Sequence, residues 1–137
     1  MPKLIYSFLA SLDGYVADEV GSFDWAVPDE EVLAFINAAE QDVGTYLYGR
    51  TMYERMIGWE NDPAVARQSP NSTEFAQIWQ ATRKVVFSPS LESVSTKRTR
   101  LERRFDPALV RQIKADADHD LNISGAQLAA SAWHAGL

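Results

Sequence analysis

Three residues suited to phosphate binding, Gly49, Arg50 and Thr51, come directly after an apolar run at 46–48. The run predicts a buried strand, and the polar segment after it predicts a helix. The first backbone NH groups of a helix have no intrahelical partner and lie at the positive end of the helix dipole, so they bind anions. Glycine lets the main chain approach a ligand, and arginine adds a fixed guanidinium. The turn predicts a phosphate site, with a simple ion pair between Arg50 and Glu54 as the alternative.

A second stretch of the same kind is Asn-Ile-Ser-Gly-Ala-Gln at 122–127. A short strand signal again ends in small residues, and a helix signal follows. Two such helix starts in one parallel sheet predict a ligand with more than one phosphate, lying across the carboxyl ends of the strands. A third strand end, at Phe87 and Ser88, is placed to hold the far end of a dinucleotide. Neither G-x-G-x-x-G nor a P-loop occurs, so those two nucleotide folds are not supported.

Strand and helix signals alternate along the chain. Strands are predicted over 4–10, 45–48, 84–87 and 121–124, with a looser basic strand within 94–104, and helices are predicted to begin near 28, 51, 74, 107 and 127. This alternation predicts an α/β fold of three layers, in which helices flank a mainly parallel central sheet. The length of the chain predicts a single domain over 1–137.

The same patterns give three local expectations. Residues 4–10 are nearly all apolar, so they should form a central strand covered on both faces. Residues 57–72 have no period and should form a long surface loop, followed by a helix that Asn71 caps. The first helix should bury one apolar face, made of Val32, Phe35, Ile36 and Ala39.

Composition narrows the class of protein. Of the 137 residues, 46% are hydrophobic and 23% charged, with a formal net charge of −6. Such a chain is not expected to bind nucleic acid through its overall field, so any anion must be held by local donors. There is no cysteine, and the two histidines are isolated in sequence, so no metal site is predicted. The apolar run after Met1 is too short for a membrane span and lacks a cleavage pattern, which predicts a cytoplasmic protein.

Six pieces of the chain, taken in order, resemble the dihydrofolate-reductase-like superfamily. They are most similar to the C-terminal reductase domain of the bacterial bifunctional deaminase-reductase of riboflavin biosynthesis. The pieces lie at 11–17, 23–25, 47–54, 84–88, 123–126 and 135–137. The most specific of them is Gly-Arg-Thr-Met-Tyr-Glu at 49–54.

The resemblance implies an NADPH-dependent reductase, usually a homodimer, that acts on a pyrimidine- or pteridine-like heterocycle. Its substrate would be like 5-amino-6-(5-phosphoribosylamino)uracil or dihydrofolate. By this resemblance, the cofactor's diphosphate and adenosine-side phosphate would be held by Gly49, Arg50 and Thr51, and the adenosine ribose phosphate would lie near Ser88. The nicotinamide-side phosphate would be held by Ser124, Gly125, Ala126 and Gln127, and the nicotinamide ring would be bordered by Leu9 and Ala10. Residues 13–25 would form a mobile loop over the place of hydride transfer.

Two features depart from the family pattern. Many relatives have Gly-Gly where this chain has Ser124 and Gly125, and a serine there would hinder a strained peptide. Relatives also continue past the Ala-Gly-Leu of 135–137 with further strands. The expectation is a C-terminally incomplete sheet with one open edge, which invites a partner chain.

Hydride transfer needs two rings in register and one proton donor. The candidate donors are Asp13, at the start of the loop, and Glu30, a few residues past Trp25, with Asp24 as a weaker one. The alternative for Glu30 is a helix-start acid that interacts with the helix dipole, and the alternative for Asp13 is a turn residue.

Three aromatic side chains are candidate walls of a pocket for a flat heterocycle: Trp25, Tyr48 and Tyr53. Core packing is the alternative for each of them. At the level of function, the alternative to a reductase is a non-catalytic nucleotide-binding or oligomerising remnant of the same fold. A structural fragment without a ligand is a third reading.

Overall fold

Five strands form one sheet in the computed structural model, which describes residues 1–137. They are β1 (Leu4–Tyr6), β2 (Val43–Gly49), β3 (Arg83–Phe87), β4 (Thr99–Glu102) and β5 (Asp120–Ser124). Their order across the sheet is β1-β5-β2-β3-β4, and all four pairings are parallel. The predicted parallel sheet is confirmed.

Seven helices connect and cover the strands. They are α1 (Glu30–Glu40), α2 (Arg50–Met56), α3 (Gly58–Asn61), α4 (Pro63–Ala66), α5 (Pro70–Ala81), α6 (Pro107–Ala115) and α7 (Ala126–His134). Asp106 caps α6 by accepting from the N–H of Ala108 at 2.9 Å, and Pro107 takes the first helical position, so this helix begins where the sequence predicts. None of the helices combines the length and the apolar character that crossing a membrane requires.

Side chains of the sheet point alternately into two apolar layers. On one face, Leu47 and Ile123 pack in a cluster with side chains of α6 and α7. On the other face, Tyr48 and Val86 pack in a cluster with side chains of α1, α2 and α5. These two clusters give the three-layer architecture and explain why the central strands are apolar on both faces.

The first strand is not the central one that the sequence predicts. β1 has only three residues, Leu4–Tyr6, and it lies at the edge of the sheet beside β5. Ile5 and Tyr6 are 38% and 42% exposed, and Phe8 beyond the strand is 58% exposed. The prediction for 4–10 is wrong because an apolar run does not show which neighbour covers it.

Helix α1 buries a different face from the predicted one. Leu33 and Asn37 are buried, whereas Val32 and Phe35 are exposed. The Nδ2 group of Asn37 donates to the carbonyl oxygen of Asn71 at 3.0 Å, which ties α1 to α5. The apolar pattern is misleading here because a hydrogen-bonded amide occupies a core-facing position.

The predicted loop over 57–72 is also wrong, since most of it is helical. It contains α3, α4 and the start of α5. The N-cap of α5 is Ser69, whose Oγ accepts from the N–H of Ser72 at 3.1 Å, so Asn71 is not the cap. Pro63 and Pro70 mark the first turns of helices and not breaks between them.

Lys84 on β3 is a buried cation at the end of α5. Its Nζ donates to the carbonyl oxygens of Trp79 at 2.7 Å and Thr82 at 2.8 Å, and it lies 4.1 Å from the centre of the Trp79 ring. Burial lowers the pKa of Lys84 from its ordinary 10.5 to about 8, while the Glu60 carboxylate acts in the opposite direction. The ammonium group thus satisfies helix-end carbonyls that have no other donor in the helix.

Replacing Lys84 by Met should destabilise the protein by about 1–3 kcal/mol, because two carbonyls lose their donor inside the core. Urea unfolding at neutral pH measures this change. The matched control is Lys97→Met at an exposed position, which should change the free energy of unfolding by less than about 0.5 kcal/mol. Equal effects of the two substitutions would contradict the role given to Lys84.

Stability should rise with pH between about 8 and 10 and fall above 10. Between the folded pKa of Lys84, about 8, and its ordinary 10.5, the unfolded chain binds the proton more strongly, so deprotonation favours the folded state. Burial raises the pKa values of Tyr46 and Tyr48 above their ordinary 10, so their ionisation favours the unfolded state at higher pH.

Urea unfolding at several pH values from 7 to 11 measures this profile. In Lys84→Met the rise between pH 8 and 10 should be absent, while the fall above pH 10 should persist. A wild-type profile without a rise, or a rise that persists in Lys84→Met, would contradict the assignment.

Candidate functional site

The strands are parallel, so their carboxyl ends lie side by side at one end of the sheet. Gly49 is in register with Phe87 of β3, and Tyr48 is in register with Ser124 of β5. β1 adjoins β5 on its far side. The two predicted helix starts are therefore neighbours, with the end of β3 on one side and the end of β1 on the other.

The main chain is open at both helix starts. No side chain caps α2 at Gly49 or α7 at Gly125. A Cβ placed on Gly49 would have no atom within 4 Å, and one placed on Gly125 would meet only the Cβ of Met52 at 3.9 Å. Gly125 has φ 103°, a conformation that favours glycine. The residues that follow, Thr51 in α2 and Ala126 and Gln127 in α7, are exposed.

Arg50 reaches from α2 toward the end of β3. Its Nε donates to Oε1 of Glu54 at 2.8 Å, so the ion pair considered as the alternative is present. Its Nη1 also donates to Oγ of Ser90 at 3.0 Å. The guanidinium is about half exposed and lies between the ends of β2 and β3, where it has donors left for a ligand.

Ser88 differs from its predicted role, because its hydroxyl is used inside the fold. The residue is 1% exposed, and its Oγ accepts from the N–H groups of Ser90 at 3.3 Å and Leu91 at 3.0 Å. Ser88 thus shapes the turn after β3, and Ser90 is the serine that this turn exposes beside Arg50. Sequence reasoning missed Ser90 because only the turn geometry separates the two serines.

The loop between β1 and α1 is held against α2 by Arg55. Its Nη2 donates to the carbonyl oxygen of Gly21 at 2.6 Å, and its guanidinium carbon lies 4.0 Å from the centre of the Phe23 ring. Since β5 lies between β1 and β2, the loop extends from the end of β1 to a helix that follows β2, two strands away. Sequence reasoning missed Arg55, which is 34 residues from Gly21 along the chain.

Trp25 lines a shallow cleft in this loop. It belongs to a single turn of 3-10 helix, Asp24–Ala26, and is 47% exposed. The cleft has a volume of about 350 Å³. Its lining residues are Ser11, Tyr15, Ala17, Asp18, Glu19 and Trp25. Leu9 and Ala10, which precede the cleft after β1, are exposed.

Tyr48 and Tyr53 do not line an open pocket, and that prediction is corrected. Each is 2% exposed. The Tyr48 hydroxyl accepts from Nε1 of Trp79 at 3.0 Å, and the Tyr53 hydroxyl bonds with Oγ1 of Thr96 at 2.9 Å. Their hydroxyl groups have core partners, so core packing, the alternative for each, is the role that the structure gives them.

Each of the two candidate proton donors accepts a hydrogen bond from a neighbouring side chain. Oδ1 of Asp13 accepts from the hydroxyl of Ser11 at 2.6 Å within the loop. Glu30 is the first residue of α1, and its Oε2 accepts from Nδ2 of Asn71 at 2.8 Å. These contacts agree with the alternatives, a turn residue and a helix-start acid, and the proton-donor roles stay predictions.

A network of hydrogen-bonded polar side chains lies at the ends of β1 and β5. Nδ2 of Asn122 donates to Oε1 of Glu40 at 3.1 Å and to Oγ of Ser7 at 2.6 Å, and the Ser124 hydroxyl donates to Oδ1 of Asn122 at 3.1 Å. Burial raises the pKa of Glu40, while the nearby Tyr46 hydroxyl acts in the opposite direction. Oε2 of Glu40 and the Tyr46 hydroxyl are buried without a well-formed hydrogen bond.

The parallel strand order, the flanking helices and the row of turns define an α/β domain of the dihydrofolate-reductase-like fold. The model of the family described as RibD C-terminal domain matches residues 2–137. The chain therefore belongs to the RibD C-terminal domain family, as the resemblance of its motifs predicts.

Two solved structures share the fold. One is a protein from Shewanella sp. PV-4 described as a riboflavin biosynthesis protein, with a TM-score of 0.62 and 20% identity over 94% of this chain and 67% of that chain. The other is a diaminohydroxyphosphoribosylaminopyrimidine deaminase/5-amino-6-(5-phosphoribosylamino)uracil reductase from Thermotoga maritima, with a TM-score of 0.54 and 15% identity. This chain is 93% covered in that match and spans 40% of the Thermotoga chain. No curated protein matches the sequence.

Proposed function

We propose that the protein is a reductase that transfers a hydride from NADPH to a pyrimidine- or pteridine-like heterocycle. The observation that carries the proposal is the placement of two uncapped helix starts, at Gly49 and Gly125, on neighbouring parallel strands. Neighbouring strands are about 4.8 Å apart, a distance that one diphosphate spans. Membership of the RibD C-terminal domain family supports the reductase class, and the description of the Thermotoga neighbour includes 5-amino-6-(5-phosphoribosylamino)uracil reductase.

NADPH would lie across the carboxyl ends of the strands, from β3 through β2 and β5 to β1. Its diphosphate would accept from the first backbone NH groups of α2 and α7, and the extra phosphate on its adenosine ribose would lie near Arg50 and Ser90. The nicotinamide ring would lie beside Leu9 and Ala10. Because the chain has a net charge of −6, these local donors must supply the attraction for the cofactor's phosphates.

NADPH supplies the hydride when it is bound, and the chain binds it, orients it and excludes water. The loop that Arg55 holds against α2 would cover the ends of β1 and β5, which lowers access of water to the nicotinamide. Asp13 and Glu30 are the proposed proton donors. One oxygen of each carboxyl group accepts from a neighbour, Ser11 or Asn71, and in the protonated acid the other oxygen would carry the proton that passes to the heterocycle with the hydride.

NADPH should quench the tryptophan fluorescence of the protein in a saturable way. Trp25 lies in the loop at the site, so Trp25→Phe should remove more of the signal than Trp133→Phe on the outer face of α7. Absence of a saturable signal up to millimolar NADPH would remove the reductase proposal. Saturable binding without oxidation of NADPH, with 5-amino-6-(5-phosphoribosylamino)uracil or dihydrofolate as acceptor, would favour the non-catalytic alternative.

Arg50→Ala should weaken binding of NADPH about tenfold and leave binding of NADH nearly unchanged, because a guanidinium–phosphate hydrogen bond is lost only with NADPH. Fluorescence titration with both cofactors measures the two dissociation constants. Arg83→Ala is the matched control, since Arg83 is an exposed arginine at the amino end of β3, the end opposite to the candidate site. An equal loss for NADPH and NADH would exclude contact of Arg50 with the extra phosphate.

A further inference from the structure

A hydrogen-bond network connects the buried interior to the ends of β1 and β5. Its members are Glu40, Asn122, Ser7 and Ser124. Asn122 is 3% exposed, whereas Ser7 is exposed and Ser124 is half-buried. Tyr6 and Ile123, the residues before the two serines, are in register on neighbouring strands. Both serine side chains bond to Asn122 from the α1 side of the sheet, so they lie next to each other.

Glu40 fixes the donor and acceptor roles in all three hydrogen bonds of this network. A carboxylate oxygen only accepts, so it must face the NH2 group of Asn122. The two hydrogens of that group are then used, one toward Oε1 of Glu40 and one toward Oγ of Ser7. Oδ1 of Asn122 faces Ser124, whose hydroxyl must donate to it.

The two serines are consequently different in what they offer a ligand. Ser7 already accepts from Asn122, so its own hydroxyl hydrogen is free to donate. Ser124 has given its hydrogen to Asn122, so its Oγ has only lone pairs to offer. The end of the sheet presents one donor and one acceptor side by side. A phosphate has acceptor oxygens only and does not match this pair.

We infer that Ser7 and Ser124 bind a planar amide group, with its C=O accepting from Ser7 and its N–H donating to Ser124. Asn122 and Glu40 are positioning residues, because they decide that Ser7 donates to the ligand and Ser124 accepts from it. The inference rests on the proposed function, because both sources of such an amide belong to that reaction. One source is the carboxamide of the nicotinamide, and the other is a lactam edge of the heterocycle.

The first test uses Ser124→Ala and Ser7→Ala with two cofactors, NADPH and its reduced 3-acetylpyridine analogue, which keeps the C=O but lacks the N–H. If the cofactor supplies the amide, Ser124→Ala should raise the dissociation constant of NADPH about three- to tenfold and leave that of the analogue unchanged. Ser7→Ala should raise both. Ser131→Ala is the matched control, since this serine bonds only within α7.

If the heterocycle supplies the amide, both substitutions should leave NADPH binding unchanged and raise the KM for 5-amino-6-(5-phosphoribosylamino)uracil by a similar factor. Near-UV circular dichroism and melting curves of the variants establish that they are folded. Wild-type binding of NADPH with no effect of either substitution on cofactor or heterocycle would overturn the inference alone. Failure of the wild type to bind NADPH would instead remove the proposed function itself.

Glu40→Gln tests the positioning role separately. A glutamine can turn either its carbonyl or its NH2 group toward Asn122, so the direction of the amide is no longer imposed. With a cofactor amide, the preference of the protein for NADPH over the 3-acetylpyridine analogue should fall toward one. With a heterocycle amide, the KM should rise while kcat changes less. A folded Glu40→Gln variant with wild-type preference and wild-type KM would exclude Glu40 as a positioning residue.

Discussion

The geometry of the site depends on the parallel pairing of β2 with β5 on one side and with β3 on the other. Both ladders run to the last residues of β2, where Tyr48 and Gly49 are in register with Ser124 and Phe87. A slip of one residue would turn the Tyr48 side chain to the opposite face, away from Trp79, which makes this register strongly specified. The fixed register brings together turns that are distant in sequence.

The fold was predictable where local patterns decide the outcome. The central strands and α6 follow from apolar runs and from the Asp106-Pro107 start, which act over a few residues. The edge position of β1 was not predictable, because it depends on which strands pair with it. Asn37 shows the same limit for helices, since a satisfied amide in the core interrupts the apolar pattern of α1.

The candidate site could likewise be predicted only where adjacent residues decide its structure. The turns at Gly49 and Gly125 could be read from the sequence because a strand end, a glycine and a helix start are adjacent in the chain. The contacts of Asn122 could not, since it is 115 residues from Ser7 and 82 from Glu40. Ser88 was misread for a geometric reason, because its hydroxyl turns inward and bonds to the backbone of its own turn.

Helix α2 has seven residues, so it is about 10 Å long, and its two ends serve two parts of the site. Arg50 and the free backbone NH groups are at its start, and Arg55, one residue before its end, holds Gly21 and Phe23 of the loop. Because both arginines belong to one helix of about two turns, the backbone of α2 alone sets the spacing between the open helix start and the anchor of the loop.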